Sequence, residues 1–128
     1  MTVRVMIVDD TDHVREMLAS MLELDGFDVV GKASSGPEAV ALVDATTPHV
    51  VVMDYKMPGQ DGLTTTRLIR STHPNMPVIL YTAYLDDLLQ AEAQQAGVSV
   101  CVGKVEGLET LEREISALCL GVIEGQSA

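Results

Sequence analysis

Five short apolar runs, starting near Val3, Phe27, His49, Pro77 and Val98, divide the chain into intervals that each hold one helix and little more. Strand-length hydrophobic segments alternating with helix-length ones make a βα rhythm, and such repeats build a parallel sheet. Three runs, Val3 to Val8, Val50 to Met53 and Val78 to Tyr81, are nearly unbroken, as strands covered on both faces must be. These belong in the centre. The runs Phe27 to Lys32 and Val98 to Gly103 are interrupted by polar residues or glycine, which suits edges. Right-handed crossovers combined with that burial pattern give the order 2-1-3-4-5. The expected fold is an α/β, open, doubly wound parallel sheet of five strands with five helices.

The helical intervals differ in how clearly they are patterned. In the first, Val14, Met17, Leu18, Met21 and Leu22 fall on one stripe, which predicts a sheet-facing helix with both methionines filling gaps in the core. The second opens on Ser35-Gly36-Pro37-Glu38, a cap, a first-turn proline and an acid placed for orphan N–H groups. The third, Gly62 to Thr72, contains the weak helix formers Thr64, Thr65 and Thr66 and is placed by rhythm alone. The fourth, Asp86 to Ala96, carries acids in its first turn and Gly97 as its stop. The fifth presents Leu108, Leu111, Ile115 and Leu118 on one face. Residues 1–119 then make one domain, 120–128 read as a frayed tail, and no attached output module is expected.

Charge narrows the functional classes. The 128 residues carry 8 Lys+Arg against 19 Asp+Glu, a formal charge of −11, so there is little to neutralise a nucleic-acid backbone and direct binding to it is disfavoured. Cys101 and Cys119 lack the spacing of a disulfide scaffold or a zinc site and are expected as buried free thiols. His13, His49 and His73 are scattered and are expected to cap or face solvent. No run approaches the ~20 apolar residues of a membrane span or forms a signal peptide, so the expectation is a soluble, cytoplasmic protein without membrane insertion.

Ligands of an open parallel sheet sit beyond the carboxyl ends of its strands, where the strand order reverses. The first strand ends in Asp9-Asp10, the third in Asp54, the fourth in Thr82 and the fifth in Lys104, whereas the outlying second ends in the plain Lys32-Ala33-Ser34. Any one of these alone is an ordinary cap or surface residue; together they are a site. Three close carboxylates repel unless a cation balances them, and an all-oxygen donor set implies a hard divalent ion, Mg²⁺ rather than Ca²⁺, with Mn²⁺ an acceptable substitute. A carboxylate beside such an ion is a credible nucleophile toward phosphorus, with Lys104 and Thr82 contributing a positive charge and a hydroxyl donor to the phosphoryl oxygens. Reversible phosphorylation of one Asp is the chemistry that follows.

The blocks Val5-Met6-Ile7-Val8-Asp9-Asp10, Val50-Val51-Val52-Met53-Asp54-Tyr55-Lys56-Met57-Pro58-Gly59-Gln60-Asp61-Gly62, Leu80-Tyr81-Thr82-Ala83 and Lys104 closely resemble the receiver domain of two-component response regulators. The resemblance runs from about Val3 to Leu118 and implies a CheY-like, flavodoxin-like fold. It also implies that Asp54 takes a phosphoryl group from a histidine kinase or phosphotransfer protein. In that reading Asp10, Asp54 and the backbone carbonyl of Lys56 hold Mg²⁺, Asp9 acts largely through water, and Thr82 and Lys104 bind the phosphoryl oxygens. The chain would be no enzyme toward a separate substrate, catalysing only phosphotransfer to, and hydrolysis from, its own Asp54. Output would pass through a population shift of the face formed by the fourth helix, fifth strand and fifth helix to a separate effector protein.

Pro58 fixes φ and Gly59 permits positive φ, so the loop after Asp54 can turn tightly. Two positions depart from the family pattern. Val105 replaces the usual proline after Lys104, which disfavours a cis bond there and leaves that loop free to take another shape. Cys101 stands where many members carry an aromatic, which leaves Tyr84 as the candidate reporter of loop movement. Lys56 is a candidate to shield the acyl phosphate and set its lifetime.

Rival readings are a haloacid-dehalogenase-like phosphatase with Asp10 as nucleophile, since Asp10-Thr11-Asp12-His13-Val14 fits Asp-x-Asp-x-Val, and a receiver-like module that is never phosphorylated. The first leaves the Asp54 loop without a purpose and finds only Glu106, Glu109 and Glu112 as later acids. A dinucleotide site lacks its glycine-rich turn.

Overall fold

The computed structural model describes residues 2–125. Five parallel strands, β1 (Arg4–Val8), β2 (Asp28–Ala33), β3 (Val50–Met53), β4 (Val78–Thr82) and β5 (Val100–Gly103), form one sheet in the order β2-β1-β3-β4-β5. They alternate with α1 (Asp12–Leu24), α2 (Gly36–Thr46), α3 (Gly62–Thr72), α4 (Asp87–Ala96) and α5 (Gly107–Leu118). The three unbroken runs are the central strands and the interrupted runs are the edges, as expected. A 3-10 turn, Lys104–Glu106, precedes α5, and a sixth helix, α6 (Leu120–Gly125), follows it. The tail expected to fray from residue 120 is therefore helical as far as Gly125, with Val122 packed against the core cluster that includes Cys119. Residues 126–128 of that expectation lie outside the described residues.

Alternation along the central strands splits the core into two layers. Met6, Val8, Val51, Met53, Val78 and Leu80 pack with residues of α2, α3 and α4. Val5, Ile7, Val50, Val52 and Ile79 pack with residues of α1 and α5 on the opposite face. In β2 the register against β1 shifts at Val5/Met6, so Met6 faces Gly31; a Cβ on Gly31 would come within 3.1 Å of the Met6 side chain.

Local chemistry accounts for the helix limits. Ser35, Asp61 and Asp86 cap α2, α3 and α4 by accepting the backbone N–H groups of Glu38, Thr64 and Leu89. Thr65 and Thr66 are fully buried in α3, and their hydroxyls donate to the carbonyls of Asp61 and Gly62 at 2.8 and 2.7 Å. Their weak propensity is offset by burial and by hydrogen bonds to the helix's own backbone. Gly97 ends α4 at φ +98°.

Two expectations about side chains are corrected. Leu18, Ala19 and Leu22 carry the packing of α1, while Met17 and Met21 stand 57% and 42% exposed. The two methionines border a groove between α1 and α5 with Val14, Tyr81 and Leu108 and fill no core gap. Of the two thiols, both free, Cys119 is buried and Cys101 only half-buried. Burial pushes the Cys119 thiol up to about 11. His49 accepts the Arg4 N–H at 2.9 Å through Nδ1, and the His73 ring pairs with Asp44 at 2.6 Å, so both bind protein groups.

Candidate functional site

At the carboxyl edge of the sheet, β1, β3 and β5 deliver the groups the sequence assigned to them. Ligand atoms of Asp9, Asp10 and Asp54 all lie within 4.8 Å of one another. The Lys104 ammonium lies 3.2 Å from Asp9 Oδ2 and 3.9 Å from Asp54 Oδ2. Among the described residues Lys104 is the one cation within 4 Å of these three carboxylates, and the imbalance is what a divalent ion would correct. Asp12 does not join the cluster; its carboxylate is exposed and paired with Arg15 at 2.6 Å. That removes the second acid on which the dehalogenase-like reading depends.

The carboxylates are held by backbone. Asp9 Oδ1 accepts the Thr11 N–H at 2.9 Å, the Asx turn that ends β1, and Asp54 Oδ1 accepts the Tyr55 N–H at 2.9 Å. Burial pushes the Asp54 carboxyl up to about 6, opposed by the Lys104 charge and reinforced by Asp9; the Tyr55 N–H lowers it and Asp10 raises it. The Asp54 carboxylate reaches the surface at one mouth.

That mouth is lined by Asp10, Asp54, Lys56, Ala83, Tyr84 and Lys104, among others. Asp9 is buried behind it and acts on it through Lys104. Thr82 is also fully buried, and its Oγ1 accepts the Tyr84 N–H at 3.1 Å. Cys101 is not at the mouth: it lines a separate cleft between α4 and β5 with Gln90 and Gln94.

Three contacts escaped the sequence reading. The Arg15 guanidinium donates to the Asp9 carbonyl at 2.7 Å, bracing the loop after β1 from the first turn of α1. Its spacing three residues after Asp12 is the signal that marks it. Gly62 is packed so tightly that a Cβ there would fall 2.1 Å from the Asp54 carbonyl oxygen. No local pattern encodes that approach. Lys56 lines the mouth, as its place two residues after Asp54 suggests, and the contact that escaped is its Nζ 4.9 Å from the centre of the Tyr84 ring. Gly59, by contrast, takes φ +82°, the turn its sequence predicts.

A family model described as response regulator receiver domain matches residues 5–116. Response regulator GacA of Pseudomonas protegens is 38% identical over 120 residues, which are 93% of this chain and 56% of that protein. The chain spans about half the length of the GacA proteins it matches. Among solved structures, the signal receiver domain of the putative response regulator NarL from Mycobacterium tuberculosis superposes with a TM-score of 0.80 at 32% identity, covering 97% of this chain and 98% of that one. The CheX-CheY-BeF3-Mg²⁺ complex from Borrelia burgdorferi gives 0.81 at 27% identity, covering 90% and 88%.

Proposed function

Because the chain belongs to the response regulator receiver domain family, we propose that Asp54 accepts a phosphoryl group from a histidine kinase or phosphotransfer protein and that the acyl phosphate sets the output state. The observation that carries this reading is the Asp54 carboxylate at the mouth, clustered with Asp9 and Asp10 and 3.9 Å from the Lys104 ammonium. An Asp54 oxygen attacks phosphorus, the P–N bond of the phosphohistidine breaks, and the imidazole nitrogen leaves with the electron pair. Hydrolysis later transfers the phosphoryl group to water and restores the carboxylate. The chain works only on its own Asp54.

The donor set fits Mg²⁺: three carboxylates without a thiolate or imidazole, at a mouth with room for water. Asp10, Asp54 and the Lys56 carbonyl would hold it, with Asp9 through water. When bound, the ion offsets the charge that would otherwise repel an incoming phosphoryl group. The Borrelia complex, which contains Mg²⁺ and BeF3, supports Mg²⁺ as the ion. Lys104 holds a fixed positive charge for the phosphoryl oxygens, and Thr82 has a hydroxyl proton to donate to them.

Phosphorylation adds charge and acceptor oxygens at Asp54, and the pull on Thr82 and Lys104 biases the face of α4, β5 and α5 toward one arrangement. A coupling of ~1–3 kcal/mol changes effector affinity roughly 5- to 150-fold. No helix among the described residues is long and apolar enough to cross a membrane, and a cytoplasmic site of action accompanies this reading.

Incubation with Mg²⁺ and a small phosphodonor, followed by mass spectrometry, should place the label on Asp54 and lose it in Asp54→Asn. Label on Asp10 would support the phosphatase instead, and an unlabelled protein the unphosphorylated module.

A further inference from the structure

Lys56 and Tyr84 stand on the β3–α3 and β4–α4 connections, both lining the mouth above Asp54. Among the described residues the Lys56 ammonium makes no ion pair, although Asp86 and Glu92 line the adjoining groove with it. It rests on the Tyr84 ring instead. Tyr84 has a second anchor, its N–H on Thr82 Oγ1. Tyr84 is otherwise 58% exposed.

We infer that the Lys56–Tyr84 contact is a phosphorylation-sensitive latch, closed in the unmodified protein and released when an anion occupies Asp54; this rests on Asp54 being the phosphoacceptor. An exposed cation–π contact shifts an equilibrium only about two- to five-fold. A phosphoryl group presents a charge of about −2 and three acceptor oxygens, and its hydrogen bond to an ammonium is charge-assisted. The anion therefore wins Lys56 from the ring. The Thr82 hydroxyl has a proton to donate to the same oxygens, and its turn toward them withdraws the acceptor that holds the Tyr84 N–H. One event removes both anchors. The freed ring stands at the groove lined by Tyr55, Leu88 and Leu89, so its release alters the surface beside α4.

The chain has three tyrosines, so 3-fluorotyrosine labelling gives three ¹⁹F resonances, with Tyr84 assigned by Tyr84→Phe. Mg²⁺ with beryllofluoride is the probe, and the backbone amides of Asp54 and Ala83 report its binding independently of the ring. Binding should move the wild-type Tyr84 resonance. In Lys56→Met and Lys56→Gln the resonance should already be displaced toward the bound wild-type position, and its response should shrink by half or more. Lys56→Arg, which keeps the cation, should behave as wild type. Amides that respond beside an unmoved Tyr84 resonance overturn the latch alone, as does a full-sized response in both Lys56→Met and Lys56→Gln. Amides that do not respond in the wild type overturn the phosphoacceptor reading and the latch with it.

Discussion

Gly62 approaches the Asp54 backbone more closely than any residue with a side chain could. A Cβ 2.1 Å from the Asp54 carbonyl oxygen has no flexible neighbour to displace, so the loop that aims Asp54 must move. Gly59 is needed for a different reason, since its φ of +82° penalises a side chain although the space around it is empty. Gly59→Ala should therefore cost ~1–2 kcal/mol and leave labelling of Asp54 nearly intact. Gly62→Ala should destabilise more, by ~1–3 kcal/mol or beyond, and slow labelling at least tenfold. Denaturant unfolding and a labelling time course separate them, and equal labelling rates would show that the close approach does not position Asp54. The Pro58-Gly59 pair announces its turn because the conformational demand is local. Nothing near Gly62 in the sequence announces that it touches Asp54, because that contact depends on how α3 docks.

At the scale of elements, the apolar runs identified every strand and the βα rhythm the five principal helices; Ser35 marked where α2 begins and first-turn acids where α4 begins. Periodicity misjudged which part of the α1 stripe is covered. Met17 and Met21 satisfy the helical spacing, yet α5 does not extend over them, and a one-dimensional pattern carries no information on the width of the neighbouring helix. Ile115→Ala should cost ~2–5 kcal/mol by leaving a cavity in the layer beneath α1 and α5. Met17→Ala should cost under ~0.5 kcal/mol. Urea midpoints compared at constant m-value would decide this, and a large loss at Met17 would mean that the groove closes in solution. The short α6 also escaped notice, because its few apolar residues acquire a partner only once Cys119 and α5 are in place.

The whole molecule carries −11, and its acids are unevenly balanced by cations. Glu112 on α5 faces Asp25 at the end of α1, with Glu109 nearby. Burial, then the hydrogen bond and charge of Asp25 and the charge of Glu109, together push Glu112 from its ordinary 4.5 to about 7. Its Oε2 is buried without a hydrogen-bond partner, as two ionised carboxylates must leave it; a proton shared with Asp25 supplies the missing bond. The folded protein then holds a proton that the unfolded chain releases near 4.5. Stability falls as pH rises from about 4.5 to about 7 and is flat above that as far as this group is concerned. Asp54, raised to about 6, adds a slope of the same sign over a lower range. In metal-free buffer the melting temperature should fall from pH 5 to pH 8, and Glu112→Gln should flatten that slope and stabilise the protein at pH 8. An unchanged slope in Glu112→Gln would sink this assignment.

The sequence by itself determined the βα alternation, the central and edge strands, and the identity of Asp9, Asp10, Asp54, Thr82 and Lys104 as one set. Strand burial and the crossover rule act on local patterns, and the topology then sends every strand's end to the same rim. Only the tertiary structure decided that Asp9 and Thr82 lie behind the mouth, that Cys101 faces another cleft and that Lys56 rests on Tyr84. Those relations join loops distant along the chain, and their geometry is fixed by how helices seat on the sheet rather than by any spacing in the sequence.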